Sequence, residues 1–593
     1  MLPSLLLSHR RRLAWLLLLT VAGTLLALVI PYILRLAIDA ITRGTSAATL
    51  AGYGLLMVLI TAAAGALRFV RAYGFSHVSR RIEYRLRNDL LAHLQRLQPA
   101  FFQTTRTGDL MARMTNDLNA VRQMLGPGLQ NFANTIVSFV VTLAIMLSIS
   151  VRLALYAGIL LPLVSIAFIS LRRQIERRFT AVQEQFSTLS AKAQEAFSGV
   201  RIVKAFAQES DWVEHFRDAN EEYVDRGIRL ARVQSTLWPA MQLLVGLVFA
   251  MVIWLGGQDV IAGRLTLGEY VQFNGYLTML VWPMIALGWT AQLYQQGTAS
   301  LRRIQELFDT QPSIVGGTLL PPAIDGEIEL RDVSFGYGAT PVLRHVSLRI
   351  PPRGSLGIVG HTGSGKTSLV QLLPRLYDVD AGQILLDGLD VRDWRLDELR
   401  RAIGYVPQET FLFSDSLADN IALGVSSPES LNPSSGLAQA VRVSRLENDV
   451  PDFPHGLDTV IGERGVTLSG GQKQRTAIAR ALMKDPRILI LDDALSSVDT
   501  STAEQILSEL RQVRQDRTTV IVSHRISAVR ECDQIVVLRD CEIVERGTHL
   551  DLIRAGGEYG RIYRRQLLRE ELDVDVPLPP QWETLGEGTP DVR

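Results

Sequence analysis

Lysine, cysteine and an excess of either charge are all scarce in this chain of 593 residues. Five lysines stand beside 56 arginines, and the formal net charge is only +1. That balance argues against a nucleic-acid-binding protein, which would carry a strong basic excess. The two cysteines, Cys532 and Cys541, are too few for a disulfide framework. They have no metal-type neighbours, so we expect them to be reduced and structural.

Charge is missing altogether from six long stretches of the first 300 residues. About 20 helical residues at 1.5 Å each cross a bilayer, and the uncharged runs that meet this scale are 13–34, 50–67, 132–151, 153–171, 236–257 and 270–300. The first run follows the basic residues 9–12, but it is too long for a signal peptide and lacks a small-residue cleavage pattern. The runs therefore predict a six-helix transmembrane bundle in a multi-pass protein of the cell (inner) membrane.

Two of the connections between these runs are much longer than the others. Residues 68–131 and 172–235 hold ten and eleven basic residues, against four in the three short connections together. This excess favours a cytoplasmic location for both. Apolar residues recur in them at helical spacing, so we expect helical hairpins with arms that reach roughly 45 Å. A disordered linker is the alternative.

Polar residues inside the runs are few, and two interpretations of them stay open. They are Gln242, Gln272, Asn274, Gln292, Gln295 and Gln296. Such residues either face a cavity in the bundle or form hydrogen bonds between helices. No acid–base pair in the runs suggests a proton relay, which favours ATP over an ion gradient as the energy source.

The second half contains a glycine-rich turn between a strand-like run and a helix-like run. The turn is Gly360, His361, Thr362, Gly363, Ser364, Gly365, Lys366, Thr367 and Ser368. Its glycines let backbone N–H groups converge on phosphates, the lysine can reach the β- and γ-phosphates, and the threonine hydroxyl can ligate Mg²⁺. In a chain so poor in lysine, a lysine at this position is unlikely to be chance. The turn predicts a site for a nucleoside triphosphate and Mg²⁺.

The composition shifts at the boundary between the two halves. Residues 311–325 are rich in proline and glycine and are predicted to link a transmembrane domain, 1–310, to an α/β domain, 326–570. The remaining residues, 571–593, are acidic and proline-bearing, and we expect them to be disordered.

Further motifs follow in a fixed order along the α/β domain. A buried-strand run ends at Asp492 and Asp493, and the first of these carboxylates is placed to hold Mg²⁺ opposite Thr367. Before it comes the run LSGGQ, whose Ser469, Gly470, Gly471 and Gln472 open a helix and form a second candidate anion site. His524 follows another strand-like run.

This order of motifs, with Gln408 between the first two, resembles the nucleotide-binding domain of ATP-binding cassette (ABC) transporters. Six spans fused ahead of it resemble the half-transporter form of the ABC exporters. The likeness covers about residues 10–570. It implies a six-helix transmembrane bundle with long cytoplasmic extensions, followed by a P-loop ATPase domain. It also implies that ATP, Mg²⁺, the lipid bilayer and a second half-transporter are the binding partners.

The resemblance assigns roles to single residues. Tyr337 would stack on adenine, although a tyrosine in the strand core is the alternative. Gln408 would contact Mg²⁺ and the attacking water, together with the metal ligands Thr367 and Asp492. Residues 469–472 would cap ATP held by the partner subunit, and His524 would be the switch histidine. Asp499 matches the D-loop and Glu463 the X-loop. Residues 107–116 and 206–213 are expected to couple the ATP sites to the membrane.

One residue departs from the family pattern. The family usually has glutamate after the magnesium aspartate, where it polarises the attacking water, and this chain has Asp493. One fewer methylene withdraws the carboxylate by roughly 1.5 Å, and a misplacement of about 1 Å can lower a rate about 100-fold. A site that still works slowly is the alternative. Because the LSGGQ run is intact, the asymmetry resembles heterodimeric exporters and predicts a different partner that carries the glutamate.

The sequence therefore predicts an ATP hydrolase coupled to export of amphipathic or apolar cargo such as drugs, lipids or peptides. Within transport, the rival is a homodimeric lipid flippase. The rival from another class is an ATP-gated channel.

Overall fold

The structure is a computed structural model that describes residues 7, 9–321, 323–338, 340–425, 433–462, 468–514 and 516–573. Glu463 and residues 574–593 of the predicted tail lie outside the described residues. So do the side chains of residues 160–165, 284, 285, 287, 433–435, 514 and 569–573. The chain divides into two compact units, Met1–Arg96 with Thr105–Gln311, and Leu97–Thr104 with Pro312–Arg593.

Helices account for nearly all of the described residues before residue 311. They are α1 (Arg10–Thr42), α2 (Ala47–Leu94), α3 (Pro99–Thr104), α4 (Thr107–Ala112), α5 (Leu118–Gln123), α6 (Leu129–Ile149), α7 (Val151–Ser198), α8 (Val200–Ala205), α9 (Glu209–Ile261) and α10 (Leu267–Asp309). The predicted spans fall on α1, α2, α6, α7, α9 and α10. Among the described residues, four helical stretches are long and apolar enough to cross a membrane: Arg10–Thr42, Ala47–Leu94, Thr107–Ile149 and Glu209–Ile261.

One predicted span ends too late. The run 132–151 crosses a helix boundary, because α6 ends at Ile149 and Ser150 has extended backbone. The Ser150 hydroxyl accepts a hydrogen bond from the Leu153 backbone N–H and begins α7. An uncharged run contains no signal for such a break other than the serine itself.

The long connections are ordered helices. α2 and α7 each have 48 residues and α9 has 53, well beyond the approximately 20 that a bilayer needs. In the second hairpin, the Gln185 amide donates to the Ala219 carbonyl at 2.9 Å. The predicted coupling segment 107–116 lies on α4 and the π-helical segment Arg113–Asp117 that follows it, in the first unit. The neighbouring helix α3 belongs to the second unit, where Ala100 packs against the core.

Hydrogen bonds between helices account for two of the polar residues in the spans. Arg35 of α1 donates to the Gln272 side chain of α10 at 3.4 Å, and Arg172 of α7 donates to Gln292 of α10. For these two glutamines the helix-bonding interpretation therefore holds.

The second unit contains two sheets. Its strands are β1 (Ile328–Tyr337), β2 (Thr340–Ile350), β3 (Ser355–Gly360), β4 (Ala381–Leu386), β5 (Leu389–Asp390), β6 (Ile403–Val406), β7 (Ile488–Asp492), β8 (Thr518–Val522), β9 (Gln534–Arg539) and β10 (Glu542–Gly547). The order in the smaller sheet is β2-β1-β4-β5, and in the larger sheet it is β10-β9-β3-β8-β7-β6.

Helices of the second unit follow most of these strands. They are α11 (Lys366–Leu372), α12 (Leu396–Ala402), α13 (Leu417–Ala422), α14 (Pro433–Val443), α15 (Gly470–Met483), α16 (Thr500–Arg514), α17 (Ile526–Val529), α18 (His549–Ala555) and α19 (Glu558–Asp573). Short 3-10 turns lie between α14 and α15.

Five neighbouring strands of the larger sheet, from β9 to β6, are parallel. Their carboxyl ends therefore meet at one edge, which is where open α/β sheets bind ligands. The ends of β3, β8, β7 and β6 are followed by the glycine-rich turn, His524, Asp493 and Gln408, respectively. Residues far apart in sequence thus reach one site through strand order.

Candidate nucleotide site

The turn after β3 has the backbone that a phosphate cradle requires. Gly363 and Gly365 adopt left-handed φ angles of 82° and 96°, which side chains rarely tolerate. A Cβ on Gly365 would lie 2.7 Å from the Val342 carbonyl oxygen. The Ser364 hydroxyl is buried and has no hydrogen-bond partner among the described residues. An orphaned hydroxyl in a glycine-rich loop fits an anion acceptor such as a triphosphate.

The one lysine of this turn is buried against the backbone of the turn itself. Lys366 is 6% exposed, and its ammonium donates to the carbonyl oxygens of Gly360 and His361, both at 2.8 Å. Burial lowers the pKa of Lys366, and the nearby carboxylates of Asp493 and Asp492 oppose that shift. The ammonium is held at the mouth of the loop, where it can turn toward a phosphate.

Thr367 and Asp492 lie together as a magnesium site requires. The Thr367 hydroxyl donates to an Asp492 carboxylate oxygen at 3.1 Å, and the Tyr405 hydroxyl donates to the other oxygen at 3.3 Å. Asp492 is fully buried at the end of β7. Burial raises its pKa, although the two hydrogen bonds oppose this. A hydroxyl and a buried carboxylate are the oxygen ligands that Mg²⁺ prefers, so these residues fit the ion.

Asp493, the residue that departs from the family pattern, has an unusual backbone. Its φ is 48°, a left-handed conformation that aspartate tolerates better than most residues. Its N–H donates to the Val522 carbonyl at 2.9 Å, and its carbonyl accepts from the Ser496 hydroxyl at 2.9 Å. The backbone is fixed between β8 and the following turn, so the length of the side chain decides how far the carboxylate reaches.

His524, Gln408 and Tyr337 complete the wall of the same cavity. Burial lowers the pKa of His524, the nearby charge of Lys366 lowers it further, and Asp493 opposes both. The imidazole is therefore neutral over more of the pH range than an ordinary histidine. Tyr337, at the end of β1, is 41% exposed and donates to or accepts from the Ser368 hydroxyl at 3.2 Å. Its exposure does not suit a tyrosine of the strand core.

Most of the predicted residues meet in one cavity of about 290 Å³. Those that line it are Tyr337, Thr362, Gly363, Gly365, Lys366, Thr367, Ser368, Gln408, Asp492, Asp493 and His524. Gly360, His361 and Ser364 belong to the same turn but do not line the cavity. The His361 imidazole instead lies 3.0 Å from a carboxylate oxygen of Glu558.

The LSGGQ residues do not join this cavity. Ser469 caps α15, because its hydroxyl accepts from the Gln472 N–H at 3.2 Å while its own N–H donates to the Gln472 side chain at 2.9 Å. Ser469 and Gly470 are exposed. One helix further on, Asp499 accepts from the Thr502 N–H and the Ser501 hydroxyl, both at 2.8 Å. These hydrogen bonds lower the pKa of Asp499 to about 2.

Sequence reasoning missed one polar contact and two apolar walls of the cavity. Tyr405 touches Asp492, and Val342 and Val522 line the nucleotide cavity. Tyr405 lies beside Ile490 in the parallel pair of β6 and β7. A signal existed, since Tyr405 lies three residues before Gln408, but only the pairing of the strands shows that it reaches Asp492.

Comparison with known proteins places both units in one family. The family model for the ABC transporter transmembrane region matches residues 13–284, and the model described as ABC transporter matches residues 343–496. A probable multidrug resistance ABC transporter ATP-binding/permease protein, YheI of Bacillus subtilis, is 37% identical over 91% of this chain and 92% of its own length. An ATP-dependent lipid A-core flippase of Syntrophus aciditrophicus is 35% identical over 92% of this chain and 90% of its own. A solved structure of a bacterial Atm1-family ABC exporter with ATP bound is also similar. It has a TM-score of 0.75 and 30% identity, and the match covers 94% of this chain and 98% of that one.

Proposed function

This chain belongs to the ABC transporter family, as a multi-pass membrane protein with a cytoplasmic ATPase domain, and we propose that it exports amphipathic or apolar molecules from the cytoplasm or inner leaflet. Its homologues include multidrug exporters and lipid A-core flippases, which supports ATP-driven export. The observation that carries the proposal is the nucleotide cavity, where the glycine-rich turn, Asp492, Gln408 and His524 meet.

The residues of the cavity would have separate roles in binding and hydrolysing ATP. The turn with Lys366 would hold the phosphates, and Tyr337 would stack on the base. Thr367, Asp492 and Gln408 would hold Mg²⁺, which when bound neutralises charge on the phosphates. His524, kept neutral by its surroundings, can accept or donate a hydrogen bond near the terminal phosphate.

Asp493 is proposed to make this chain's own site slow. A general base must lie within hydrogen-bond reach of the water that it activates. The backbone of Asp493 is fixed by its bonds to β8 and the next turn, so the shorter side chain cannot be compensated by a shift of the strand end. Aspartate tolerates the left-handed φ of 48°. The backbone at Asp493 is therefore compatible with this side chain.

A second chain is proposed to complete the site. The exposed Ser469 and Gly470 lie outside the nucleotide cavity and are free to cover the ATP of another subunit. The turn of the second cytoplasmic hairpin supports the same conclusion, because Phe197, Ile202 and Phe206 are 78%, 66% and 72% exposed. Apolar exposure of this kind marks protein contact surfaces. We propose that the partner is a different half-transporter that carries glutamate where this chain has Asp493.

A homodimeric lipid flippase is the second candidate, since relatives named lipid A-core flippases are 33–35% identical. Purification of the chain alone separates the two. A heterodimer subunit should hydrolyse ATP slowly by itself and recover when its partner is supplied. ATPase and transport at ordinary exporter rates by the chain alone would refute the heterodimer.

Export itself is tested in sealed proteoliposomes of the full chain with its partner. An exporter accumulates a fluorescent amphiphile against its gradient when ATP is present on the side of the ATPase domain. A leak that only equilibrates the dye would favour an ATP-gated channel and contradict export.

A further inference from the structure

A cavity of about 160 Å³ lies among helices α1, α2, α6 and α10 of the first unit. Its polar wall consists of Arg68, Arg71, Thr24, Asn134 and Ser138. The rest of its wall is apolar and includes Leu28, Met279 and Trp282. Two arginines thus share one small cavity with aliphatic and aromatic groups.

Both arginines lie beside the middle of the first uncharged run, although the second uncharged run ends just before them. α1 and α2 are antiparallel, since Gly23 lies against Leu67 and Gly74 against Leu16. Arg68 and Arg71 therefore lie opposite residues 19–22 of α1, within about 7 Å of the midpoint of the run 13–34. The hydrocarbon core extends roughly 15 Å on each side of its centre. Measured from the midpoint of the first run, both arginines fall within the depth expected for that span.

Arg71 is 7% exposed and is only partly satisfied by the protein. Its Nη1 donates to the Asn134 side-chain oxygen at 2.9 Å, and the Thr24 hydroxyl donates to that same oxygen at 3.3 Å. Its Nε is buried without a hydrogen-bond partner among the described residues. No carboxylate lines the cavity in the described part of the chain, so the guanidinium has only neutral partners there.

Two other arginines of the first unit are paired with carboxylates. Arg35 lies 2.9 Å from a Glu269 carboxylate oxygen, and Arg303 is paired with Asp117. A buried cation that has no counterion destabilises the fold, because the charge loses its hydration without gaining a partner. A role limited to joining helices would need only a neutral side chain at position 71. The unmatched charge points to a counterion that comes from outside the chain.

We propose that this cavity, named here the arginine cavity, binds the anionic group of an amphipathic cargo. Arg71 and Arg68 would receive a carboxylate or phosphate, because guanidinium groups bind such oxyanions with paired hydrogen bonds. The apolar body of the same molecule would lie against Met279 and Trp282. This inference rests on the proposed export function and narrows it to cargo that carries negative charge.

The direct test compares three alkyl probes of one chain length: decyl phosphate, decyl trimethylammonium and decyl maltoside. Binding is measured by equilibrium dialysis, below micelle formation, to the full chain in nanodiscs of neutral lipid. The phosphate probe should bind at least about tenfold more tightly than the other two, as expected for charge-assisted hydrogen bonds. Equal binding of the three probes would overturn the proposal.

The variant that separates binding from folding is Asn134→Asp. It has nearly the same shape, and it places a carboxylate 2.9 Å from Arg71, so it supplies the counterion internally and preserves packing. Affinity for decyl phosphate should fall at least about tenfold, with decyl maltoside unchanged. Arg68→Gln, at an exposed residue, should lower it in the same direction. Unchanged phosphate affinity in both variants would contradict the proposal.

A matched control is Asn119→Asp, because Asn119 also accepts from an arginine, Arg122, at 2.5 Å but does not line the arginine cavity. It should bind decyl phosphate like the unmodified chain. A loss there equal to that of Asn134→Asp would show a general effect of added charge and overturn the site.

Two competition measurements identify the source of the anion. Inorganic phosphate should compete poorly, and equal competition would exclude an amphiphile as the ligand. Phosphatidylglycerol in the nanodisc should displace the probe if the cargo is a lipid, and fail to displace it if the cargo is a soluble amphiphile. If the chain takes up a cationic dye in an ATP-driven manner and shows no preference for anionic probes, this inference alone is rejected. Failure of every amphiphile to accumulate would reject the export function instead.

Discussion

The nucleotide cavity of the second unit and the arginine cavity of the first unit both present positive charge, but different atoms supply it. In the nucleotide cavity the charge comes from backbone N–H groups and one lysine in a single short turn. In the arginine cavity it comes from side chains of α2 that α1, α6 and α10 surround. The first kind of site is formed largely by consecutive residues, so a sequence motif reveals it. The second exists only after helices have packed.

The difference explains which features the sequence could predict. The turn 360–368, Asp492 and His524 can be predicted from the sequence because glycines and strand ends carry a local pattern. Arg68 follows the predicted second span, 50–67, since a charge normally ends an apolar run. The contacts of Gly23 with Leu67 and of Gly74 with Leu16 show that it lies opposite residue 22 of α1, within the first predicted span. Tyr405 was missed for the same reason, because its contact with Asp492 depends on the order of the strands.

The largest expected effect is the loss of ATP affinity when the lysine of the nucleotide cavity is replaced by arginine. Lys366→Arg places a broad planar fork where an ammonium lies 2.8 Å from two carbonyl oxygens. We expect ATP affinity to fall about 100-fold or more, as measured by binding of a fluorescent ATP analogue. Lys484→Arg is the control, because Lys484 is also buried against carbonyl oxygens, at 2.9 Å from that of Ile403. Equal losses in both variants would show a general defect in folding.

The reverse exchange should harm the arginine cavity less. Arg71→Lys keeps the charge but loses the paired donors, so decyl phosphate affinity should fall about threefold to tenfold in equilibrium dialysis. Binding as tight as in the unmodified chain would show that charge alone is recognised there. Complete loss would show that the geometry of the fork is the essential feature.

A smaller effect is expected at Asp492, the proposed magnesium ligand. Tyr405→Phe removes the hydroxyl that lies 3.3 Å from Asp492, and one net hydrogen bond corresponds to a factor of about 2 to 10. The Mg²⁺ concentration that half-saturates ATP hydrolysis should rise about threefold. Tyr377→Phe, at a second aromatic residue of this unit, should leave it unchanged. No difference between the two variants would remove Tyr405 from the metal site.

The smallest effect concerns pH, to which the arginine cavity should be insensitive because arginine stays protonated. Burial lowers the pKa of His524 below the ordinary 6.5, so the unfolded chain takes up a proton that the folded chain does not. Stability of the folded state is therefore lost as the pH falls through about 6.5. Melting temperatures between pH 7.5 and 5.5 should fall less in His524→Gln than in the unmodified chain. A parallel fall would contradict the lowered pKa.

The most direct test of the central claim, that Asp493 limits hydrolysis at this chain's own site, is the ATP turnover of Asp493→Glu in the purified full chain. The unmodified chain should hydrolyse ATP slowly, and the longer carboxylate should raise turnover about tenfold or more, with Lys366→Ala as the inactive baseline. Turnover that is unchanged, or already typical of exporters before the substitution, would contradict the account.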